Sequence, residues 1–379
     1  MPDQDLNSKR SQLSTAKRAL LEKRLKGRES GQAEGQSIRR LSRRERAPLS
    51  FAQQRLWFIE QLEPGVFAYN IPVALRLKGK LGVSALERSI NEVVRRHESL
   101  RTVFRREAGE PVQVILPQLR LDLPVTDLRS LPEHEREAEV VRLTTEEMQR
   151  AFDLETGPLV RARLLRLDDD EHVLLFIIHH IISDGWSMGV LVREVATLYR
   201  AYVEGEEESP LAELPVQYAD FAVWQREWMS GEVLERELGY WRRKLGGERA
   251  ALELPTDYPR PPRQSFRGAT KKFALPAELS ASIKKLAQRE GATLYMLLLA
   301  AFKTLLHRYT NQTDILVGSP IANRNRAEIE NLIGFFVNTL VLRTDVSDNP
   351  GFRHLLSRVR EVTLEAYAHQ DMPFEKVVE

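Results

Sequence analysis

The sequence contains no cysteine, and it has no long hydrophobic run. Without cysteine there can be no disulfide framework, thiolate zinc site, iron–sulfur cluster or cysteine nucleophile. The longest uncharged apolar run, 294–302, is far shorter than the roughly 20 residues of a membrane helix, and residues 1–20 lack the apolar core of a secretory signal. We therefore expect a cytoplasmic protein with no membrane partner.

The net charge is also small, because 56 Lys and Arg are almost balanced by 54 Asp and Glu, which gives +2 for the 379 residues. It is unevenly spread, since residues 1–48 contain 13 Lys and Arg against 6 Asp and Glu. Basic tracts such as 39–46 are more typical of solvated linkers than of nucleic-acid sites. We therefore expect no nucleic-acid partner.

The basic leader, residues 1–47, precedes the part of the chain that we expect to fold. Residues 8–27 have apolar side chains on one helical face, and a Gly/Ser/Gln-rich stretch, 28–38, follows as a flexible linker. The pattern leaves two interpretations open, a detached linker helix or an element that docks an upstream protein partner.

Helical and extended patterns alternate from Pro48 onward, which predicts a mixed α/β fold. We predict helices over 83–96, after Ser187 and from Leu294. We predict strands over 70–77, 159–167, 173–178, 315–318 and 335–343. The strands 159–167 and 173–178 are expected to form a hairpin. The proline-rich stretch 255–268 is typical of a connection. The length and these patterns predict an N-terminal lobe over 48–228 and a C-terminal lobe over 229–379.

Two adjacent histidines, His179 and His180, stand at the end of an apolar strand and are followed by an Asp-Gly turn. Neighbouring residues of a strand point to opposite faces, so one histidine can face a cleft while the other packs behind it. The same geometry and the absence of other ligands argue against a metal site. Asp184 is interpreted as structural, and Gly185 as a residue that permits a backbone shape closed to others.

Six segments resemble, in order, the motifs of condensation domains of nonribosomal peptide synthetases. They are 50–57, 96–104, 179–185, 218–224, 333–339 and 369–375. The resemblance implies an α/β fold of two chloramphenicol acetyltransferase-like lobes in a V-shaped pseudo-dimer, with the active site between them. It also implies amide formation in antibiotic or secondary-metabolite biosynthesis.

The implied substrates are acyl groups tethered as thioesters to 4′-phosphopantetheine on donor and acceptor peptidyl carrier proteins. No cofactor would be bound directly, and an adjacent adenylation domain would belong to the same synthetase. Carried over to this chain, the resemblance makes His180 catalytic and gives His179, Asp184, Gly185 and Arg324 supporting roles, with Arg324 as the ion-pair partner of Asp184. Three further residues are expected to line the tunnel: Ser183, Trp186 and Asn338.

The chain ends at Glu379, before the family's seventh motif, so we expect an incomplete C-terminal lobe. The residues at 182–187 resemble those of the subtype that joins an L-configured donor to an L-configured acceptor. Two alternatives stay open: a catalytically silent relative that recruits partner enzymes, and an acyltransferase that uses coenzyme A.

Overall fold

The computed structural model describes residues 37–42, 45–247, 251–262, 266 and 268–379. The helix predicted over 8–27 lies outside these residues. The described chain divides into two compact units. The first unit comprises Ile38–Val233, Ala322–Asn338 and Pro373–Glu379, and the second comprises Ser37, Leu234–Ile321 and Thr339–Met372.

These units differ from the two continuous lobes predicted over 48–228 and 229–379. Two segments of the C-terminal half, 322–338 and 373–379, belong to the first unit. Ordered packing also begins before Pro48, because Ile38 is buried and the backbone amide of Leu41 donates to the Asp220 carboxylate over 2.9 Å. The lobe boundaries stay a prediction.

The first unit contains two β-sheets. A three-stranded sheet has the order β1–β4–β3, and a four-stranded sheet has the order β2–β7–β6–β5. The strands are β1 Arg46–Pro48, β2 Asn70–Lys78, β3 Thr102–Glu107, β4 Glu110–Ile115, β5 Val125–Asp127, β6 Val160–Arg166 and β7 Glu171–His179. β6 and β7 pair antiparallel, so the predicted hairpin is confirmed.

Strand β7 is buried along almost its whole length, which explains its continuous apolar sequence. Leu174 and Phe176 belong to the main core. Val173 and Leu175 pack on the other side against Val140 and other apolar side chains. Because both faces are covered, the strand holds its C-terminal end, at His179, in a fixed position.

The helices of the first unit surround these sheets. They are α1 Phe51–Leu62, α2 Val83–Arg96, α3 Glu133–Gln149, α4 Gly185–Val203, α5 Tyr218–Trp228, α9 Ala327–Glu330 and α11 Phe374–Val378, while α6 Gly231–Leu245 spans the boundary between the units. The predicted helix over 83–96 is confirmed. Helix α4 begins two residues before Ser187 because Asp184 caps its N-terminus.

The second unit contains helices α7 Ala277–Arg289, α8 Leu294–Thr310 and α10 Phe352–Ala368, and a sheet formed by β8 Asp314–Ile321 and β9 Asn338–Asp345. The helix predicted from Leu294 and the strand predicted over 315–318 are confirmed. The fully buried Lys303 joins helix to sheet, since its ammonium donates to the Leu342 carbonyl and the Thr344 hydroxyl, each over 2.6 Å. No helix in the described ranges has the length and apolar character needed to cross a bilayer.

Candidate active site

His180 follows strand β7 directly and begins a single turn of 3₁₀ helix, His180–Ile182. Its Nδ1 lies 2.8 Å from the carbonyl oxygen of Ser183. A carbonyl oxygen only accepts, so Nδ1 must carry the proton, and the neutral ring then has its lone pair on Nε2. The Phe335 ring packs edge-on against the imidazole, with 4.8 Å between the centroids. The turn therefore fixes both the tautomer and the orientation of a partly buried imidazole.

His179 occupies a different environment because it is the last residue of strand β7, whereas His180 lies in the turn and not on the strand as predicted. It is buried, its Nδ1 accepts the amide hydrogen of Ile181 over 3.1 Å, and its ring lies beside Tyr69 and Phe152. Burial, with a smaller contribution from neighbouring His180, lowers the pKa of His179 to about 3. His179 therefore stays neutral at physiological pH and supports the strand end.

This buried neutral ring predicts a pH dependence of stability. In the unfolded chain the pKa of His179 returns to about 6.5, so between pH 6.5 and about 3 the unfolded state binds more protons. Stability is then lost as the pH falls, by about 1.4 kcal/mol per unit from this residue. Urea unfolding of the protein and of His179→Phe at pH 7 and pH 5 should give a smaller loss in the variant. Parallel pH profiles would contradict the assignment.

Asp184 is fully buried and caps helix α4. Its Oδ1 accepts from the backbone amide and the hydroxyl of Ser187, each over 2.8 Å, and from Arg324 Nη2 over 3.1 Å. Its Oδ2 accepts from the amide of Phe336 over 3.0 Å. A carboxylate surrounded by four donors is held in place, and these contacts support the structural role predicted for Asp184.

The predicted ion pair between Asp184 and Arg324 is present, with both side chains almost completely buried. Arg324 Nη1 also donates to the carbonyls of Ile329 and Leu332, over 2.6 and 2.7 Å. Burial lowers the pKa of the guanidinium, against the opposing effect of Asp184. Arg324 thereby ties helix α9 and the loop that follows it to the start of helix α4.

Ser187 and Gly334 complete this network, and sequence reasoning missed both. The Ser187 hydroxyl lies 2.8 Å from Arg324 Nη2 and 2.9 and 3.1 Å from the carbonyl and amide of Gly334. A methyl group on Gly334 would come within 2.1 Å of the Tyr218 ring. Only glycine permits this close approach, because the surrounding groups are buried and packed.

Gly334→Ala is therefore expected to lower the free energy of unfolding by about 1–3 kcal/mol, the usual cost of overpacking a core. Gly189→Ala is the matched control, since a methyl group there, inside helix α4, meets no described heavy atom within 4 Å. That variant should be unchanged or more stable by about 0.5–1 kcal/mol. Denaturant unfolding compares the two, and equal effects would refute the steric argument.

The strand predicted over 335–343 begins only at Asn338, so its first part is wrong. The Phe335 carbonyl accepts the Tyr218 hydroxyl hydrogen over 2.6 Å, and the Phe336 amide donates to Asp184. These backbone groups are used by side chains of the site and are not available for a β-ladder. The segment that supplies Phe335 to His180 is therefore irregular.

Residues of the separate family-like segments are in contact around His180 and the irregular stretch that contains Phe335. Tyr218 is fully buried, lies 2.8 Å from the Ser50 hydroxyl, and has its pKa raised by burial. Gln53 donates to the carbonyl of Ile181 over 3.1 Å. The Ser99 hydroxyl donates to the carbonyl of Ile333 over 2.7 Å. The first five resembling segments thus form one shell around the turn that holds His180.

The three residues expected to line the tunnel are placed differently from one another. Trp186 is about half exposed, and its indole Nε1 donates to the Glu330 carbonyl over 2.9 Å. Ser183 and Asn338 are buried, and Asn338 Oδ1 accepts from the amide of Phe374 over 3.0 Å. Burial favours a structural role for these two, and tunnel lining stays a prediction.

Gly185 does not have the special backbone shape expected of it. It is the first residue of helix α4, its φ is outside the left-handed region, and an added methyl group would meet no described heavy atom within 4 Å. The turn is set by the Asp184 cap, so the conformational prediction for Gly185 was wrong. Within the described part of the chain, no three metal-ligating side chains cluster as a metal site.

The sequence of this chain is similar to those of known proteins. The family model described as the condensation domain matches residues 43–379. One protein of the linear gramicidin synthase of Brevibacillus parabrevis is 56% identical over 342 residues, which are 90% of this chain and 7% of that protein. The chain spans only 4% to 7% of the length of the three gramicidin synthase proteins that it matches.

Solved structures agree on the fold. The X-domain in its complex with OxyB from teicoplanin biosynthesis is 33% identical, with a TM-score of 0.80 over 90% of this chain and 74% of that one. The first condensation domain of the CDA synthetase is 23% identical, with a TM-score of 0.72 over 86% of this chain and 77% of that one. The mixed α/β fold is therefore confirmed.

Proposed function

Since this chain belongs to the condensation domain family, we propose that it forms amide bonds between two carrier-bound acyl groups in nonribosomal peptide synthesis. The amine of an aminoacyl group on an acceptor carrier protein attacks the thioester carbonyl of a donor acyl or peptidyl group. A C–N bond forms, the C–S bond breaks, and the amine proton ends on the released donor thiol. The observation that carries this proposal is the imidazole of His180, with its proton held on Nδ1.

His180 suits this reaction because its Nε2 lone pair can accept a hydrogen bond from the attacking amine, or the proton itself. A group positioned in this way is typically worth about 10² to 10⁴ in rate. The Ser183 carbonyl and the Phe335 ring hold the imidazole before substrate arrives. Such preorganisation lowers the cost of aligning amine and thioester.

Direct transfer needs no covalent acyl-enzyme. The sequence has no cysteine, and its one match to the nucleophile-elbow spacing is Gly185-Trp186-Ser187-Met188-Gly189. Ser187 does not suit that role, because it is buried in helix α4 and its hydroxyl is bonded to Asp184 and Gly334. Each substrate instead arrives tethered to 4′-phosphopantetheine on a carrier protein, which raises its effective concentration at the site. An adenylation domain of the same synthetase would load these carriers. The exposed face of Trp186 is our candidate contact for one of the pantetheine arms.

We further propose the subtype that joins an L-configured donor to an L-configured acceptor, because residues 182–187 resemble that subtype. Donor carriers loaded with the L or the D enantiomer of one amino acid test this subtype. The L donor should give at least tenfold more dipeptide.

A second candidate is supported by one comparison. The X-domain that this chain resembles was solved in complex with OxyB. By analogy, this chain would bind a partner enzyme without forming amides itself. The intact arrangement of His180, Ser183 and Phe335 favours catalysis over this alternative.

The test supplies the full chain with a donor and an acceptor carrier protein, each loaded with an aminoacyl thioester, and detects dipeptidyl acceptor carrier by mass spectrometry. Dipeptide should form, and N-acetylation of the acceptor amine should abolish it. Equal product when coenzyme A thioesters replace the donor carrier would instead favour a coenzyme A-dependent acyltransferase. A complete lack of product with loaded carriers would favour the partner-binding alternative.

A further inference from the structure

A cavity of about 490 Å³ lies in the first unit beside the N-terminal half of strand β6. Its charged lining consists of Arg120, Asp122, Glu147, Arg150, Arg161 and Arg163. Four arginines and two carboxylates line the cavity, so the lining itself has two positive charges in excess. Outside the lining, the Glu87 carboxylate lies 3.7 Å from Arg120, whose side chain is 80% exposed. None of the cavity's lining residues belongs to the network around His180.

The excess of positive charge is greatest around Glu147, the last acidic residue of helix α3. Its carboxylate lies 3.8 Å from Arg150, 3.6 Å from Arg161 and 3.4 Å from Arg163. All three distances exceed those of a tight ion pair, which lie near 2.7–2.9 Å. One carboxylate is thus shared loosely among three arginines.

Arg161 is the most buried of these arginines, with 14% of its side chain exposed. Its Nη2 donates to the backbone carbonyls of Glu147 and Arg150, over 3.1 and 2.7 Å. Its Nε is buried and makes no hydrogen bond to the residues that the structure describes, because the Glu147 carboxylate oxygen 3.6 Å away is too distant for one. Burial, together with the neighbouring charge of Arg150, lowers the pKa of Arg161 to about 10. A buried cation with an unused donor is the environment that an anion would stabilise.

We propose that this cavity binds a doubly charged phosphate group, carried either by the free ion or by a monoester. Two negative charges match the two positive charges in excess, and guanidinium groups bind phosphate oxygens in a bidentate manner. The side chain of Arg150 is 64% exposed, and it can therefore turn toward a ligand. The volume lies within the usual range for small-molecule sites, and the carboxylates of Glu147 and Asp122 in the lining disfavour a continuous polyanion such as nucleic acid.

The test is calorimetric titration of the full chain with inorganic phosphate at pH 7.5, with chloride at the same ionic strength as the reference. One phosphate should bind per chain. Arg150→Gln should weaken binding about tenfold, as expected when one charge-assisted contact is lost. Arg142→Gln is the matched control, because Arg142 is an exposed, ion-paired arginine of helix α3 outside the cavity.

Glu147→Gln gives a prediction of opposite sign. Removal of the competing carboxylate should strengthen phosphate binding several-fold, whereas a purely structural ion cluster would lose stability without gaining affinity. Far-UV circular dichroism and thermal melting verify that each variant is folded. Binding no stronger than that of chloride, or equal losses in Arg150→Gln and Arg142→Gln, would overturn the proposal.

The same titration with N-acetyl-O-phosphoserine amide separates the sources of the phosphate group. Tighter binding of the ester than of inorganic phosphate assigns the site to a phosphorylated residue of a partner. Equal or tighter binding of inorganic phosphate assigns it to the free ion. Amide formation is not part of this test, so its failure leaves the proposed function of His180 unaffected.

Discussion

Asp184→Ala is expected to lower the free energy of unfolding by about 3–5 kcal/mol, the usual cost of removing one partner from a buried ion pair. The substitution leaves the buried guanidinium of Arg324 without its carboxylate and removes the acceptor of the Ser187 and Phe336 amides. Urea unfolding followed by circular dichroism measures this loss. Because the network holds Phe335 against His180, the rate of amide formation should fall as well.

Asp169→Ala is the matched control for this substitution. Asp169 also pairs with arginines, at 2.7 Å from both Arg129 and Arg166, but its side chain is 78% exposed. Removal of an exposed ion pair should cost at most about 1 kcal/mol. Because Asp184→Ala/Arg324→Met leaves no unpaired buried charge, the double variant should recover part of the lost stability. If Asp184→Ala costs no more than Asp169→Ala, the buried network does not hold the site together.

His180→Ala is expected to lower the single-turnover rate of amide formation by about 10²- to 10⁴-fold, the usual contribution of a positioned acid–base group. Stability should change little, because the ring is partly exposed and its Nδ1 donates to a backbone carbonyl that the adjoining turn can leave to water. Rapid quenching and mass spectrometry of the acceptor carrier give the rate. Urea unfolding of the same variant separates lost chemistry from lost structure.

His134→Ala provides the control for the removal of a histidine. The side chain of His134 is 81% exposed, and its contact with Glu135 is long, at 3.6 Å. This variant should retain the full rate of amide formation. A His180→Ala rate within about threefold of the wild type would remove His180 from the reaction, since positioned groups contribute at least about 10²-fold.

The local patterns of the sequence were sufficient to predict many of the elements that position His180. Strand β7 is recognisable because both its faces are apolar, and helix α2 because its apolar residues follow the helical period. Strand alternation predicted different environments for His179 and His180, but the difference comes from the end of the strand, because His180 lies in the 3₁₀ turn that follows β7. The hairpin of β6 and β7 followed from the acidic turn between two apolar runs.

The shell around the histidine turn could not be predicted in the same way. Gly334 and Ser187 are 147 residues apart, and no periodicity or spacing signals that they are in contact. The apolar run at Phe335 favours a strand locally, but Tyr218 and Asp184 bind its backbone groups and override that preference. Arg324 was proposed only through the family resemblance, which supplied long-range information that one sequence lacks.

The compact units were unpredictable for a related reason. Composition and proline content mark a connection near 255–268, but they do not reveal that 322–338 packs with the N-terminal half. The contacts of that segment are long-range, and the ion pair of Arg324 with Asp184 joins residues 140 positions apart in the chain. Domain boundaries predicted from composition assume continuous segments, whereas the two compact units are built from discontinuous ones, so the lobe boundaries stay a prediction.

The central claim is that His180 keeps its proton on Nδ1 and offers the Nε2 lone pair to the attacking amine. Long-range ¹H–¹⁵N correlation spectra of histidine-labelled protein near pH 8 report the tautomer of each ring directly. The chain has eight histidines, and the signals of His180 are those lost in His180→Ala. We predict a neutral ring protonated on Nδ1. A ring protonated on Nε2 would contradict this claim, because that nitrogen could not then accept from the amine.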